Sequence, residues 1–304
     1  MVSLILVSGG DIASVNQANA LLRMAKWKNI PDVEGLKAYS YKDARMWWMP
    51  DGCLWEDNLD KRWELVTGET PNEVIFPSRH SAASGKPSLT LHHIGTMQVP
   101  PNETPAYGGK AGDCPPPNPR LAPWWRELNS VASDFEDFDL SLETTHHGPW
   151  METPSLFIEI GSTDKTWGHL AAADLLAGII FRGLGLDDGE GIGNWNGEGT
   201  VVITLGGGHY APRGNMLGMH ENVWLGHMLA TYALPFVRDE NGSISGMWET
   251  SIRRAIRSTQ SAFPGGNIVC SMDKKAFKGW QRQAIRDLLD ELNIPLLKSK
   301  QIIG

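Results

Sequence analysis

The chain is poor in cysteine, poorer in positive than in negative charge, and without a long apolar run, and each shortage removes a class of protein. Cys53, Cys114 and Cys270 are the only cysteines in 304 residues. An odd count without C-x-x-C spacing suggests neither a disulfide framework nor a thiolate zinc site, and a reducing, cytoplasmic setting fits best. Lys and Arg number 27 against 35 Asp and Glu, a formal net charge of -8. That balance disfavours a DNA-binding protein or one that coats long nucleic acids, because such binding is driven by phosphate neutralisation. A local basic patch gripping one end of an RNA stays compatible with it. The most apolar segment, Leu170 to Phe181, carries Asp174 and falls short of the roughly 20 residues a bilayer demands, so no membrane span is expected. The opening Met1 to Ser8 lacks the positive flank of a signal peptide and reads as a strand.

Several catalytic signatures are missing too. No G-x-S-x-G elbow argues for a serine hydrolase and no H-E-x-x-H helix for a zinc peptidase. Gly9-Gly10 lacks the spacing of a nucleotide cradle.

What is present is enough apolar content, 41% of residues with 20% charged, to bury a full core in one large α/β domain or two small ones. Residues 2–8 read as a strand and Ser14 to Lys26 as a helix, with Val15, Ala18, Leu21, Leu22 and Ala25 on one face. Residues 98–123 are crowded with Pro and Gly and read as a long loop. Beyond it the pattern becomes regular: helix over 123–135, strands over 138–145 and 155–161, helix over 166–183, strands over 200–205 and 267–271, and a terminal amphipathic helix from Trp280 to Leu292. The first half looks irregular by comparison, which places most of the scaffold in the second half. Strands alternating with helices imply a mixed, largely parallel sheet covered on both faces, with ligands outside the carboxyl ends of its strands.

Six of the nine histidines fall at such strand ends: His80, His92, His93, His146, His147 and His209. In Ser141-Leu-Glu-Thr-Thr-His-His-Gly-Pro149 a strand carries Glu143 and then two histidines. Strand alternation puts Glu143 and His147 on one face and His146 on the other, unless the strand bends. A carboxylate beside an imidazole can orient it as a general base or metal ligand, while the plainer reading is a histidine that caps the strand. Gly206-Gly-Gly-His-Tyr-Ala-Pro-Arg213 offers backbone N–H groups, His209, and an arginine suited to phosphate; glycines alone would mean only a tight turn. Ser78 to Gly95 brings Ser78, Arg79, His80 and His92, and is otherwise a solvated polar loop. Lys274, Lys275, Lys278 and Arg282 form a basic cluster that reads equally as RNA contact or solvated helix face.

Together these stretches resemble the plant and archaeal type of D-aminoacyl-tRNA deacylase. The resemblance rests on Glu73-Val-Ile-Phe-Pro-Ser-Arg-His80, Leu89-Thr-Leu-His92, Leu142-Glu-Thr-Thr-His-His-Gly-Pro149, Phe157-Ile-Glu-Ile-Gly161 with Trp167, Gly206 to Arg213, Gly226-His227 and Tyr232-Ala-Leu234. It spans most of the chain, which implies one domain over 1–304 with an insertion at about 98–123, of the kind seen in the plant-like branch. The sequence departs from the archaeal pattern at Gly95-Thr96, where Gly-Asn is usual. The resemblance implies a core like those of nucleoside phosphorylases and peptidyl-tRNA hydrolases. It also implies zinc dependence and hydrolysis of the ester joining a D-amino acid to the CCA end of tRNA, in plant-type enzymes including aldehyde-modified groups. On that reading His80, His92 and His209 are the expected metal ligands, and Glu143, His146 and His147 the base and orienting groups. Ser78, Arg79, Gly207, Gly208, Tyr210 and Arg213 bind substrate, with Gly207 and Gly208 N–H groups facing the oxyanion and Arg79 and Arg213 the phosphates. Trp150 is the expected stacking surface for the terminal adenine. The protein would act as monomer or homodimer. Two other classes fit the same residues: a peptidyl-tRNA hydrolase or metallopeptidase, and a non-catalytic tRNA-end or metal-binding module.

Overall fold

Strand β1 (Val2–Ser8) is buried on both faces except at Ser3, as expected of a strand inside a parallel sheet. The computed structural model describes residues 1–304. After β1 come α1 (Ile12–Met24), the meander β2 (Lys28–Val33), β3 (Leu36–Tyr41) and β4 (Ala44–Met49), α2 (Leu59–Thr67), β5 (Pro71–Arg79), β6 (Ser88–His92), α3 (Leu121–Val131), β7 (Asp139–Leu142) and β8 (Ser155–Gly161). The second half adds α4 (Asp164–Trp167), α5 (Leu170–Gly183), β9 (Thr200–Leu205), α6 (Pro212–Gly218), β10 (Val223–Leu229), a hairpin of β11 (Val237–Arg238) and β12 (Ile244–Ser245), α7 (Trp248–Ala262), β13 (Asn267–Met272), α8 (Gly279–Glu291) and α9 (Ser299–Ile302).

Eight strands form one sheet in the order β2-β3-β4-β1-β5-β8-β6-β7. Its middle, β4-β1-β5-β8, is parallel, and β6 runs against β8 but with β7. Alternation along β1 feeds two cores: Ile5 and Val7 join α1, α3 and α5 on one face, while Leu4 and Leu6 pack with Leu59 and Trp63 of α2 on the other. The expected mixed, largely parallel sheet with helices on both faces is therefore present. A second, parallel sheet has the order β10-β9-β13. Val201, Ile203 and Leu205 face α7 and α8, and Val202, Val223 and Val269 face the first core. No helix is long and apolar enough to cross a membrane.

The first half supplies more of the scaffold than its sequence suggests, since six of the eight large-sheet strands lie before His93. Strand β1 follows its pattern, but the meander β2 to β4 escapes pattern reading for a physical reason. β2, Lys-Asn-Ile-Pro-Asp-Val, is an almost wholly exposed edge strand, where proline and polar residues are tolerated because one side needs no partner. The helix expected over 166–183 is also broken, because the His169 ring accepts the Ala172 N–H and starts α5 afresh. Residues 98–120 carry neither helix nor strand apart from a bridge between Pro117 and Ser155.

The two sheets meet where β7 ends. Ala211 N–H donates to Leu142 O, Thr144 N–H to His209 O, and Thr145 N–H to Met228 O, at 2.9, 2.8 and 2.7 Å. This crossing carries residues 143–147 out of one sheet toward the other, and it assembles the site.

Candidate active site

A cleft of about 640 Å³ opens at the carboxyl ends of β1, β5 and β8, lined among others by Asp11, Ser78, Arg79, His80, His146, His147, Glu159 and His209. The large sheet delivers His80 from the end of β5 and His92 from the end of β6, and the loop after β9 delivers His209. The crossing segment delivers Glu143, His146 and His147. His147 takes a left-handed backbone, φ 41°, so the strand alternation expected of Glu143, His146 and His147 fails. Both histidines turn to the same centre: His92 and His146 rings lie 4.2 Å apart, His92 and His147 4.8 Å, and His146 and His147 4.3 Å. Gly148 permits the approach, because a Cβ there would lie 1.8 Å from Gly108 O.

The three rings share one arrangement. Nδ1 of His92 lies 3.1 Å from His93 O, that of His146 2.8 Å from Thr144 O, and that of His147 2.6 Å from Gly148 O. A carbonyl can only accept, so each Nδ1 carries the proton and donates it, leaving each Nε2 lone pair free. Burial pushes His92 down to about 4 and His147 to about 3, and holds His146 well below its ordinary range even though 14% of that side chain reaches the cleft. Neutral imidazoles with fixed tautomers are what a transition metal requires.

Two carboxylates stand beside them. Glu143 is fully buried, with Oε1 3.0 Å from His80 Nδ1 and Oε2 3.1 Å from His209 Nε2. These approaches do not follow the imidazole N–H directions, and both Glu143 oxygens, like His92 Nε2, lack a hydrogen bond. Glu159 approaches His92 at 3.6 Å and His80 at 3.7 Å. Their ionisation is pulled apart. Burial works to raise Glu143 but is outweighed by His209, His80, His92 and His146, which hold it well below the carboxylate range. Burial and the neighbouring Glu143 charge drive Glu159 well above that range. The two carboxyl groups are thereby driven in opposite directions, Glu143 toward its ionised form and Glu159 toward its protonated form. Burial acts to lower His80, but Glu143 and Glu159 carry it upward; His209 is raised by Glu143 first.

Ligand atoms come within 4.8 Å of one another in three sets: His92, His146 and His147; His80, Glu143 and His209; and His92, Glu143 and Glu159. Each could hold a metal ion, and the orphaned His92 Nε2 and Glu143 oxygens fit one. The expected ligand set of His80, His92 and His209 is not among them, because His92 sits on the far side of Glu143 among the two histidines assigned to base chemistry.

Other expectations divide. Ser78 and Arg79 line the cleft, tied to Asp11 by Ser78 Oγ at 3.4 Å and Arg79 N at 2.8 Å, with the Arg79 guanidinium 4.6 Å over Trp167. Tyr210 reaches His80 Nε2 at 3.2 Å. Gly208 keeps a free N–H, but Gly207 N–H already donates to Thr231 Oγ1 at 3.2 Å, which removes it as an oxyanion donor. Arg213 points away from the cleft and donates to Ser299 Oγ at 2.9 Å. Trp150 lies under Lys110 Nζ at 3.9 Å and outside the cleft, whose aromatic rim is instead Trp55 and Tyr107. Thr96 pins the long loop by donating to Lys110 O. Sequence reading passed over Asp11 and Glu159, although Glu159 left a signal: it is the only charge in the otherwise apolar and wholly buried β8.

A family profile for D-aminoacyl-tRNA deacylase matches residues 67–297. The chain belongs to that family. The D-aminoacyl-tRNA deacylase of Arabidopsis thaliana is 40% identical over 97% of each chain, and that of Pyrococcus furiosus 30% over 87% of each. Among solved structures, the conserved protein of unknown function AF0625 shares the deacylase chain's fold, with a TM-score of 0.81 and 24% identity over 99% of this chain and 96% of that one.

Proposed function

We propose that the histidine cleft is where this chain, a hydrolase of the D-aminoacyl-tRNA deacylase family, cleaves the ester between a D-amino acid and the terminal ribose of tRNA. The observation that carries the assignment to this cleft is the set of three Nε2 lone pairs freed by carbonyl-bound Nδ1–H groups next to the ionised Glu143. Three neutral imidazoles with an open side suit zinc. His92, His146 and His147 would hold it, and bound there it supplies a Lewis acid and a water of lowered pKa.

The chain's own groups account for the remaining steps. Glu143 takes the proton of the attacking water and passes it to His209, whose Nε2 lies 3.1 Å from Oε2, once His209 has protonated the leaving oxygen. His209, partly exposed at the mouth of the cleft, gives a proton to the departing ribose oxygen. Glu159, whose carboxyl is driven toward its protonated form by burial and the Glu143 charge, donates to the substrate. The free Gly208 N–H faces the developing oxyanion, and Tyr210 fixes the tautomer of His80. Ser78 and Arg79 hold the polar end of the substrate, and Trp55 with Tyr107, rings 5.5 Å apart at the rim, offer the face on which the terminal adenine stacks.

We further place the protein in the cytoplasm, supported by three buried free cysteines, and read residues 1–304 as one domain, supported by a core of 36 buried residues that draws on both sheets. A monomer meets every requirement of this site, since all its groups come from one chain. The test is hydrolysis of D-tyrosyl-tRNA against L-tyrosyl-tRNA, with and without a chelator. Turnover of the D-ester alone, lost on chelation and restored by zinc, is expected. Equal turnover of both esters would overturn the D-ester assignment, and chelator resistance would remove the zinc.

A further inference from the structure

We infer that a second, basic cavity beside the cleft is the seat for the backbone phosphates of the tRNA acceptor arm; this rests on the deacylase reading above. The cavity, about 620 Å³, is lined by Arg213, Lys274, Lys275, Arg286, Lys298 and Lys300, with Asp273 as the one carboxylate. Six cations around one anion stand out in a chain whose formal charge is -8.

These charges are also unspent. Of the six, Arg213 alone forms an ion pair, a long one of 4.0 Å to Asp273, and its Nε is buried without a partner. Elsewhere many of the basic side chains are neutralised, as Arg45 is by Glu69, Arg120 by Glu73 and Arg253 by Glu249 and Glu291. A group of unpaired cations repels itself, and a polyanion relieves that repulsion while releasing its own counterions.

The position fits the reaction. The loop from Gly206 to His209 is the lip between the two cavities. At one end it packs against the segment that carries Asp273, Lys274 and Lys275 into the basic cavity: a Cβ on Gly206 would lie 2.8 Å from Ala276 and Phe277, and Asp273 N–H donates to Leu205 O at 2.8 Å. At its other end His209 enters the cleft. Arg213 follows His209 by four residues, a reach of at most about 14 Å of chain. The cleft itself is lined by the carboxyl groups of Asp11, Asp51 and Glu159 against the single guanidinium of Arg79, a poorer seat for a run of phosphates than the six cations. An RNA whose 3′ end lies in the cleft is thereby directed out over the glycine lip. Arg213, expected from sequence to bind the substrate's phosphates, acts here on phosphates further from the ester.

The experiment compares wild type with a Lys274→Gln/Lys275→Gln/Lys298→Gln/Lys300→Gln protein on two substrates, D-tyrosyl-tRNA and D-tyrosyl-adenosine, which has no stem, together with equilibrium binding of uncharged tRNA across a salt series. The expected result is a KM for the tRNA raised about 10-fold or more, kcat unchanged, and a salt slope of tRNA binding reduced by up to about 4. Cleavage of D-tyrosyl-adenosine should stay at the wild-type rate. Unchanged tRNA KM and salt slope would overturn the inference, as would equal loss on both substrates. Unchanged tRNA kinetics with lost binding of ATP would instead make the cavity a nucleotide site and also overturn it. Wild-type protein that cleaves neither ester, yet binds tRNA through these lysines, would leave the basic seat standing and remove the deacylase reading.

Discussion

His92 and His93 are adjacent in sequence, and the two regions they enter could hardly differ more. His92 turns toward the histidines that line the cleft, where its Nε2 is free and faces His146, His147 and two carboxylates. His93 turns the other way and meets His227, ring to ring at 5.7 Å. There His93 Nε2 donates to Asn118 O at 3.0 Å, while His227 bonds Thr145 Oγ1 at 3.0 Å and Pro115 O at 3.0 Å. Burial lowers all of them, to about 4 for His92 and His227 and about 3 for His93. Basicity therefore does not separate the two sets. What separates them is convergence: the open Nε2 atoms of the first set face one another and Glu143, whereas His93 Nδ1 is unpartnered on its own and the other nitrogens of the second set end in carbonyls and a hydroxyl that fasten the long loop 98–120 to the crossing segment.

The largest effect expected from breaking this contrast comes from the cleft side. His147→Ala or His92→Ala should reduce kcat/KM by about 1,000-fold or more and abolish stoichiometric zinc, read by elemental analysis of the purified protein. Either variant retaining both would end the distinction drawn here. Next, Glu143→Gln should lower kcat by about 100-fold or more while leaving the fold and the melting temperature nearly intact. A loss confined to KM would instead make Glu143 a substrate contact. Smaller again, Trp55→Ala should raise KM for D-tyrosyl-tRNA about 10-fold with little change in kcat, the size of one lost base stack, and Trp150→Ala should do neither.

The loop-fastening side should respond in stability rather than chemistry. His227→Ala is expected to cost about 2 kcal/mol by stranding buried partners, seen in denaturant unfolding, with zinc content and kcat/KM of the folded protein retained within a few-fold. Its pH dependence has a definite sign. The folded state keeps His227 neutral down to about 4, whereas the unfolded chain protonates it near 6.5. Its contribution is whole above about pH 6.5 and is lost as pH falls toward about 4. A His227→Gln protein should therefore show a shallower fall in melting temperature across that window, and an unchanged profile would show that other groups govern it.

Much of this architecture was readable one element at a time. β8 and β9 follow the apolar pattern residue for residue, because strands buried on both faces read as continuous apolar runs. The meander β2 to β4, strand β10 and helix α7 were not readable. Edge strands and amphipathic helices with long polar faces owe their shape to neighbours more than to their own pattern, as the exposed β2 and the polar face of α7 show. The histidine loops were legible as chemistry, but their division of labour was not. Nothing in Glu143 to His147 announces that the segment leaves one sheet for another and turns left-handed at His147.

The sequence by itself determined the inventory: an acidic chain with buried apolar strands, a histidine at each of several strand ends, glycines where backbones pass closely, and a likeness carried by those same segments. Tertiary structure alone decided which ring faces which. The side-chain period of two sends His92 and His93 to opposite sides; the hydrogen bonds of Leu142, Thr144 and Thr145 to the second sheet fix where His146, His147 and His209 converge; and Arg213 is carried past the cleft into the basic cavity. Residue types set which reactions are available, and the distances between groups far apart in the chain select among them.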